Sequence, residues 1–241
     1  MMARAPIVAL TLRGLLDRRR TWLMVALAAV PVLLVGLAAG FGDAEIEAED
    51  FDSLIVRLVL PLIALVFGTA AIGSEIEGGT IVYLLTKPIR RSHIVISKGL
   101  VAAGLTAALI APAAILTGVV ATLAGDDLLS VGVAYALASA IGGTAYVMLF
   151  MAISTFTSRS LAIGLGYVML WEGILADLLE GTRLFSVRQG TLAVARELTG
   201  EPTPNGAVAF EQGAVILAAV ILISAFLATW RMSRFQLRGG D

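Results

Sequence analysis

The chain has 241 residues, 59% of them hydrophobic and 15% charged, with a net charge of −1. Soluble domains carry about 25% charged residues, so this apolar excess calls for a bilayer as solvent, and the balanced charge offers no global field to nucleic acid. With no cysteine and one histidine, His93, the sequence excludes a disulfide scaffold, a thiol nucleophile and a cysteine or multi-histidine metal site.

Residues 4–20 predict an amphipathic helix. Val8, Leu12, Leu15 and Leu16 fall on one face, Arg4, Thr11 and Arg18 elsewhere, and the segment ends in Arg18-Arg19-Arg20. Such a helix lies on a membrane surface and feeds a span. Residues 21–42 carry no charge and at about 1.5 Å per residue cross a ~30 Å hydrocarbon core. This stretch is too long for a signal-peptide core and is expected to be retained. Pro31 within it is tolerated in a membrane helix. Residues 42–52 hold six acids and no base.

The second span is expected over 53–73, with Arg57 one turn inside its start. Residues 74–98 are polar and basic. A third span covers 99–124 and ends at the turn Gly125-Asp126-Asp127. A fourth covers 128–156, long enough to tilt, and ends at a second tight turn, Thr157-Ser158-Arg159-Ser160. A fifth is expected over 161–178. Residues 178–210 are mixed and predict one or two short interfacial helices before a loop at Glu201-Pro202-Thr203-Pro204-Asn205-Gly206. The sixth span, 212–230, is followed by Arg231, Arg234 and Arg238.

Six spans place the two ends on one side. That side receives 13 of the 17 lysines and arginines: Arg4, Arg13, Arg18, Arg19, Arg20, Lys87, Arg90, Arg91, Lys98, Arg159, Arg231, Arg234 and Arg238. By the bias of basic loops it is cytoplasmic. The acidic segment 42–52 and residues 178–210 then face outward.

The sequence has no G-x-x-x-x-G-K-[ST] phosphate loop, so ATP hydrolysis is not expected of this chain. An intramembrane protease needs a nucleophile and base, or two facing carboxylates, at membrane depth. His93 falls in a cytoplasmic connection, and only Glu172 lies well inside a span. No catalytic residue and no metal ligand is assigned.

Segment 74–98 is the informative one. Glu75 and Glu77 end a span, Gly78-Gly79 break the helix, and Thr80 can cap a new one whose face is Ile81, Leu84 and Leu85. Pro88 ends it and Arg90-Arg91 follow. On the residues alone two readings stand, a dock for a soluble partner or an ordinary basic connection.

The segment resembles the first cytoplasmic loop of the type-2 ABC transporter permeases. The family pattern E-x-E-x-G-T-[IL]…L-x-x-[KR]-P-[IVL]-[RS]-R-x-x-[IVL]…K is met by Glu75, Glu77, Gly79, Thr80, Ile81, Leu84, Lys87, Pro88, Ile89, Arg91, Ile94 and Lys98. The span order supports the likeness over nearly the whole chain, which is most similar to the small six-span permeases related to the nitrous-oxide-reductase accessory permease. The resemblance implies an all-α membrane protein forming one permease domain over 1–241. Helix 4–20 would be its connecting helix, the loop between spans two and three its coupling helix, and short outer helices would lie between spans five and six. It implies an exporter subunit in the inner or plasma membrane, paired with a second permease copy, identical or related. Each copy would sit on a separate ATPase subunit, which binds the ATP and Mg. Glu75, Glu77, Gly79, Thr80, Lys87, Pro88, Arg90 and Arg91 would carry the ATPase contact. The short acidic segment 42–52 departs from relatives with a large outer domain. A force-transmitting complex that moves no solute and a self-contained carrier are the alternatives.

Glu172 has three readings: a carboxylate near the surface, the lining of an exit gate, or a partner for Arg57 at similar depth. Gly164, Gly166 and Gly173 on its span, and Gly142-Gly143 on the fourth, permit close helix packing.

Overall fold

The computed structural model describes residues 11–12, 14–41, 47–78, 90–176, 180–200 and 207–234, without the side chains of Glu77 and Glu180. Seven helices account for almost all of them, and no strand occurs among the described residues. Helix α1 is Arg18–Phe41. Helix α2 is made of Ala48–Phe51, a π-wound stretch Asp52–Val59, and Leu60–Glu77. Helices α3 and α4 are Arg91–Ala124 and Leu129–Phe156. Helix α5 begins as Ser160–Gly166 and continues π-wound as Tyr167–Leu175. A 3₁₀ turn, Glu180–Phe185, leads into α6, Val187–Thr199, and α7 is Phe210–Ser233.

Five of these helices, α1, α2, α3, α4 and α7, are long and apolar enough to cross a membrane. The protein is therefore an integral membrane protein. The expected fifth span appears as a shorter apolar helix, Ser160–Leu175. At about 1.5 Å per residue it falls short of a ~30 Å core when straight.

Several boundaries differ from the expected ones. Residues Arg18-Arg19-Arg20 open α1, because the preceding helical residues stop at Leu15 and the chain breaks at Leu16-Asp17. Across that break Leu15 is buried and Leu16 exposed, so they do not share a face. The remainder of the expected surface helix, residues 4–10 and Arg13, lies outside the described residues. Helix α2 starts five residues before 53. Glu47 and Asp50 form a reciprocal capping box there, and acids in the first turn suit the helix dipole. Helix α3 starts eight residues before 99, so Lys98 belongs to a helix rather than to a connection.

Burial sorts the bundle. In α2 and α4 the apolar window is 72% and 67% buried, against 22%, 33% and 28% in α1, α3 and α7. The first two form the centre, and the others turn most of their surface outward. Helix α1 shows this plainly: only Met24, Ala28, Pro31 and Val35, at helical spacing, face inward. The core holds Phe51, Ile55, Leu60, Phe67, Tyr146 and Phe150, with Tyr146 and Phe150 rings stacked at 5.8 Å. With lipid outside, such helices associate through close packing rather than hydrophobic expulsion. Accordingly α2 meets α4 at Gly68, where an added Cβ would lie 2.8 Å from the Val147 carbonyl.

Most of the described basic residues gather at one end. Arg20 of α1 shares a small cleft with Gly73 and Ser74 of α2 and Ser160 of α5. Arg231 of α7 sits over the Phe156 ring at the end of α4.

Short helices do lie between α5 and α7, and the burial of α6 is what the sequence did not suggest. Residues 178–210 were expected to hold interfacial helices, yet every residue from Val187 to Ala195 is buried. Thr191 packs on Gly142, at the middle of α4, where a Cβ would run into its side chain, and Gly190 packs on Gly213 of α7. The helix thus dips into the bundle from the end opposite the basic one.

Candidate functional site

Two polar clusters stand out in this apolar frame, one at each end. At the basic end, Lys98 projects from α3 towards the last turns of α2. Its ammonium donates to the Ala71 carbonyl at 2.8 Å and forms an ion pair with Glu75 Oε1. Lys98 is 2% exposed, whereas Glu75 keeps partial access to solvent. A lysine so deeply buried needs partners for its donors, and these two acceptors take two of the three. The pair joins the end of α2 to the start of α3, so it closes the base of the segment that connects them.

The predicted coupling residues distribute around this clamp. Glu75 is in it. Glu77 is the last residue of α2, with its side chain outside the description. Arg90 is exposed and extended, and its carbonyl accepts from His93 N at 3.0 Å where α3 begins; Arg91 is the first helical residue. Gly79, Thr80, Lys87 and Pro88, with the expected short helix around them, lie outside the described residues. Lys98 had a place in the sequence pattern as its last conserved-type base. Its contact with Glu75 was not foreseen, because a 23-residue separation carries no local periodicity.

At the opposite end, Glu172 is 3% exposed on the π-wound part of α5. Its Oε1 accepts from the Tyr167 hydroxyl at 2.9 Å and from the backbone N–H of Val187 at 3.0 Å, and its Oε2 accepts from the Ser186 hydroxyl. Tyr167 precedes Glu172 by five residues, and the wider π winding brings such a pair towards one face. Ser186 is the N-cap of α6, and its oxygen also accepts from Gln189 N at 3.1 Å. A hydroxyl can donate once and accept as well, so Ser186 links the carboxylate to the helix end. The carboxylate sits where a helix N-terminus leaves N–H groups unpaired and carries partial positive charge. Two more bonds fasten the same junction: Trp171 Nε1 donates to the Phe185 carbonyl at 3.2 Å, and Thr182 Oγ1 to the Leu175 carbonyl at 2.8 Å.

Arg57, on the π-wound part of α2, donates from Nη2 to the Gly173 carbonyl at 3.2 Å. The structure therefore brings Arg57 beside the residue next to Glu172 and joins the two π-wound segments. Such segments are frequent at functional positions in helices. Tyr167, Ser186 and Val187 were missed as partners of Glu172. The signal available was Ser186 as a cap before an apolar-periodic run.

Both clusters are built from bonds that cross between helices. What they offer is mechanical: the first ties α2 to α3, the second ties α5 to a buried helix that touches α4 and α7. A family model described as ABC-2 family transporter protein matches residues 7–234. No curated protein matches the chain.

Proposed function

The chain belongs to the ABC-2 transporter family and is an ABC transporter membrane subunit, and from that premise we propose that it is an exporter permease driven by a separate ATPase subunit. The proposed assembly holds two permease copies and two ATPase subunits, with ATP and Mg bound by the latter. It sits in the inner or plasma membrane with the basic end in the cytoplasm, as the bias of basic loops requires.

The observation that carries the reading is the Lys98–Glu75 clamp. It lies at the end of the bundle where Arg90 and Arg91 also lie, and it ties together α2 and α3, the two helices that flank residues 79–89 in the chain. A segment held at its base passes a push from an ATPase into the bundle instead of absorbing it. In the same reading, α5 conveys motion from the basic end to α6 through Glu172, with Arg57 coupling α2 to that path.

The test uses the absence of cysteine. A tagged chain is purified gently from its native membrane with its partners, and an exposed residue of the opposite end, Phe185, is replaced by cysteine. We expect an ATPase subunit at one copy per permease and a maleimide-labelling rate at position 185 that changes when ATP and Mg are added. Glu75→Ala with Glu77→Ala is expected to keep the assembly and ATP hydrolysis but remove the change in labelling. An unchanged ATP response in that variant overturns the coupling role. Recovery of the chain without any nucleotide-binding partner overturns the proposal in favour of a self-contained carrier.

A further inference from the structure

Helices α4, α5 and α7 enclose a groove of about 480 Å³ that neither polar cluster uses. Ala152 and Phe156 of α4, Ile163 of α5, and Ile223 and Leu227 of α7 line it. Phe156, Ile163 and Ile223 are exposed, so the groove opens on the outside of the chain rather than into its core. From Leu149 to Phe156 it follows about 11 Å of helix rise, most of one leaflet's half of a ~30 Å hydrocarbon core.

Its basic end is built differently. Arg231 lies one turn beyond Leu227, with its guanidinium 5.7 Å from the centroid of the Phe156 ring. Arg234 lies 4.1 Å over the ring of Trp230. Arg159 is exposed, two residues beyond the lining residue Thr157, whose hydroxyl accepts its backbone N–H at 3.1 Å. Neither 149–160 nor 217–234 contains an acid. An apolar trough thus has three arginines at its basic end, two of them with the guanidinium against an aromatic ring.

We propose that this groove is a binding site for an anionic phospholipid, with an acyl chain between α4 and α7 and the phosphate held by Arg159, Arg231 and Arg234. A planar guanidinium matches a phosphate with paired donors, and the trough matches the chain in depth and polarity. A second copy of this chain is a poorer occupant. An isologous contact on this face sets the same arginines against each other.

The experiment uses the full chain in nanodiscs of phosphatidylglycerol and phosphatidylcholine in equal amounts with matched acyl chains. Lipids retained after mild detergent release are counted by native mass spectrometry. One phosphatidylglycerol per chain is expected in preference to phosphatidylcholine. Changing Arg159, Arg231 and Arg234 together to Gln is expected to lower that preference, by about fivefold for each arginine lost. Ile223→Trp fills the groove from a position 58% exposed, so it leaves the core packing alone. It is expected to abolish retention of both lipids with the melting temperature unchanged. Equal retention of the two lipids by the wild-type chain overturns the proposal. So does a phosphatidylglycerol preference that Ile223→Trp leaves intact, which would place the phosphate on the arginines without the groove. A change in oligomer mass in Ile223→Trp, with lipid retention unaltered, assigns the face to a second copy and overturns it as well.

Discussion

The two carboxylates that anchor opposite ends of this bundle are held in different ways. Glu75 is half-buried and pairs with a lysine from the neighbouring helix, which itself is almost wholly buried. Glu172 is almost wholly buried and is bound by a phenol, a hydroxyl and a backbone N–H. In the first pair the cation is the deeper partner, and the carboxylate connects it to the protein edge. In the second the carboxylate is the deeper partner and caps a helix that is also packed closely on α4 and α7. Polar groups at the basic end therefore close a connection, while those at the far end recruit an element.

The sharpest way to break this contrast is at Glu172. Replacing it by Ala strands the Tyr167 and Ser186 hydroxyls and the Val187 N–H without their acceptor at a buried position. The expected loss is about 3 kcal/mol. Glu172→Gln keeps one acceptor oxygen and is expected to lose roughly half as much. Unfolding free energies from steric trapping give the totals, and hydrogen exchange gives the location. Amides of α6, from Val187 onwards, should exchange faster in Glu172→Ala, while those where α2 meets α3 remain unchanged. Equal and small losses in the two variants would show that α6 is held by its packing alone.

The clamp is expected to give a smaller effect. Lys98→Met removes the cation and leaves Glu75 with partial access to solvent, which screens the loss. About 2 kcal/mol is expected, below the range for breaking a fully buried pair. Adding Glu75→Gln should recover part of it, since the uncompensated charge is then gone. The same melting or trapping measurement applies. A double variant as unstable as the sum of its two single variants would mean that Lys98 stabilises the helix ends through Ala71 alone.

How far these features could be read in the sequence follows from their range. Helices α1, α4 and α7 were legible because each is an uncharged run with basic or turn residues at its margins. The limits of α2 and α3 were displaced because a helix need not stop where its polarity changes. The acids of 47–52 favour a first turn, and Arg91 to Lys98 continue α3 beyond its apolar run. The length of α5 among the described residues was hidden by its composition, which apart from Glu172 stays apolar to Leu175 and carries no mark of π winding. Helix α6 lies between α5 and α7, where short helices were expected, but its burial was not foreseen because Arg188, Gln189 and Thr191 look like a solvated face. Their burial depends on Gly142 and Gly213, some 20 to 50 residues away in the chain. Glu75 and Lys98 both stand in the family pattern, but their contact was not foreseen, because it joins two helices and leaves no periodic trace.

The seat of α6 gives the smallest and most specific effect. A Cβ on Gly142 meets the side chain of Thr191, so Gly142→Ala must shift α6, α4 or both. The cost expected for such overpacking is about 1–2 kcal/mol. Thr191→Ala removes the obstructing atoms, and the double variant should then be little worse than Thr191→Ala alone. The coupling energy of this cycle, read from melting or trapping, should be of the order of 1 kcal/mol. The cycle also separates the two means by which α6 is held. If the carboxylate cap at Glu172 dominates, Gly142→Ala should leave the exchange of the Val187 amide slow and speed that of Thr191 and the residues after it. If close packing on α4 dominates, both ends of α6 should loosen together, and Glu172 would be a consequence of the buried position of α6 rather than its cause.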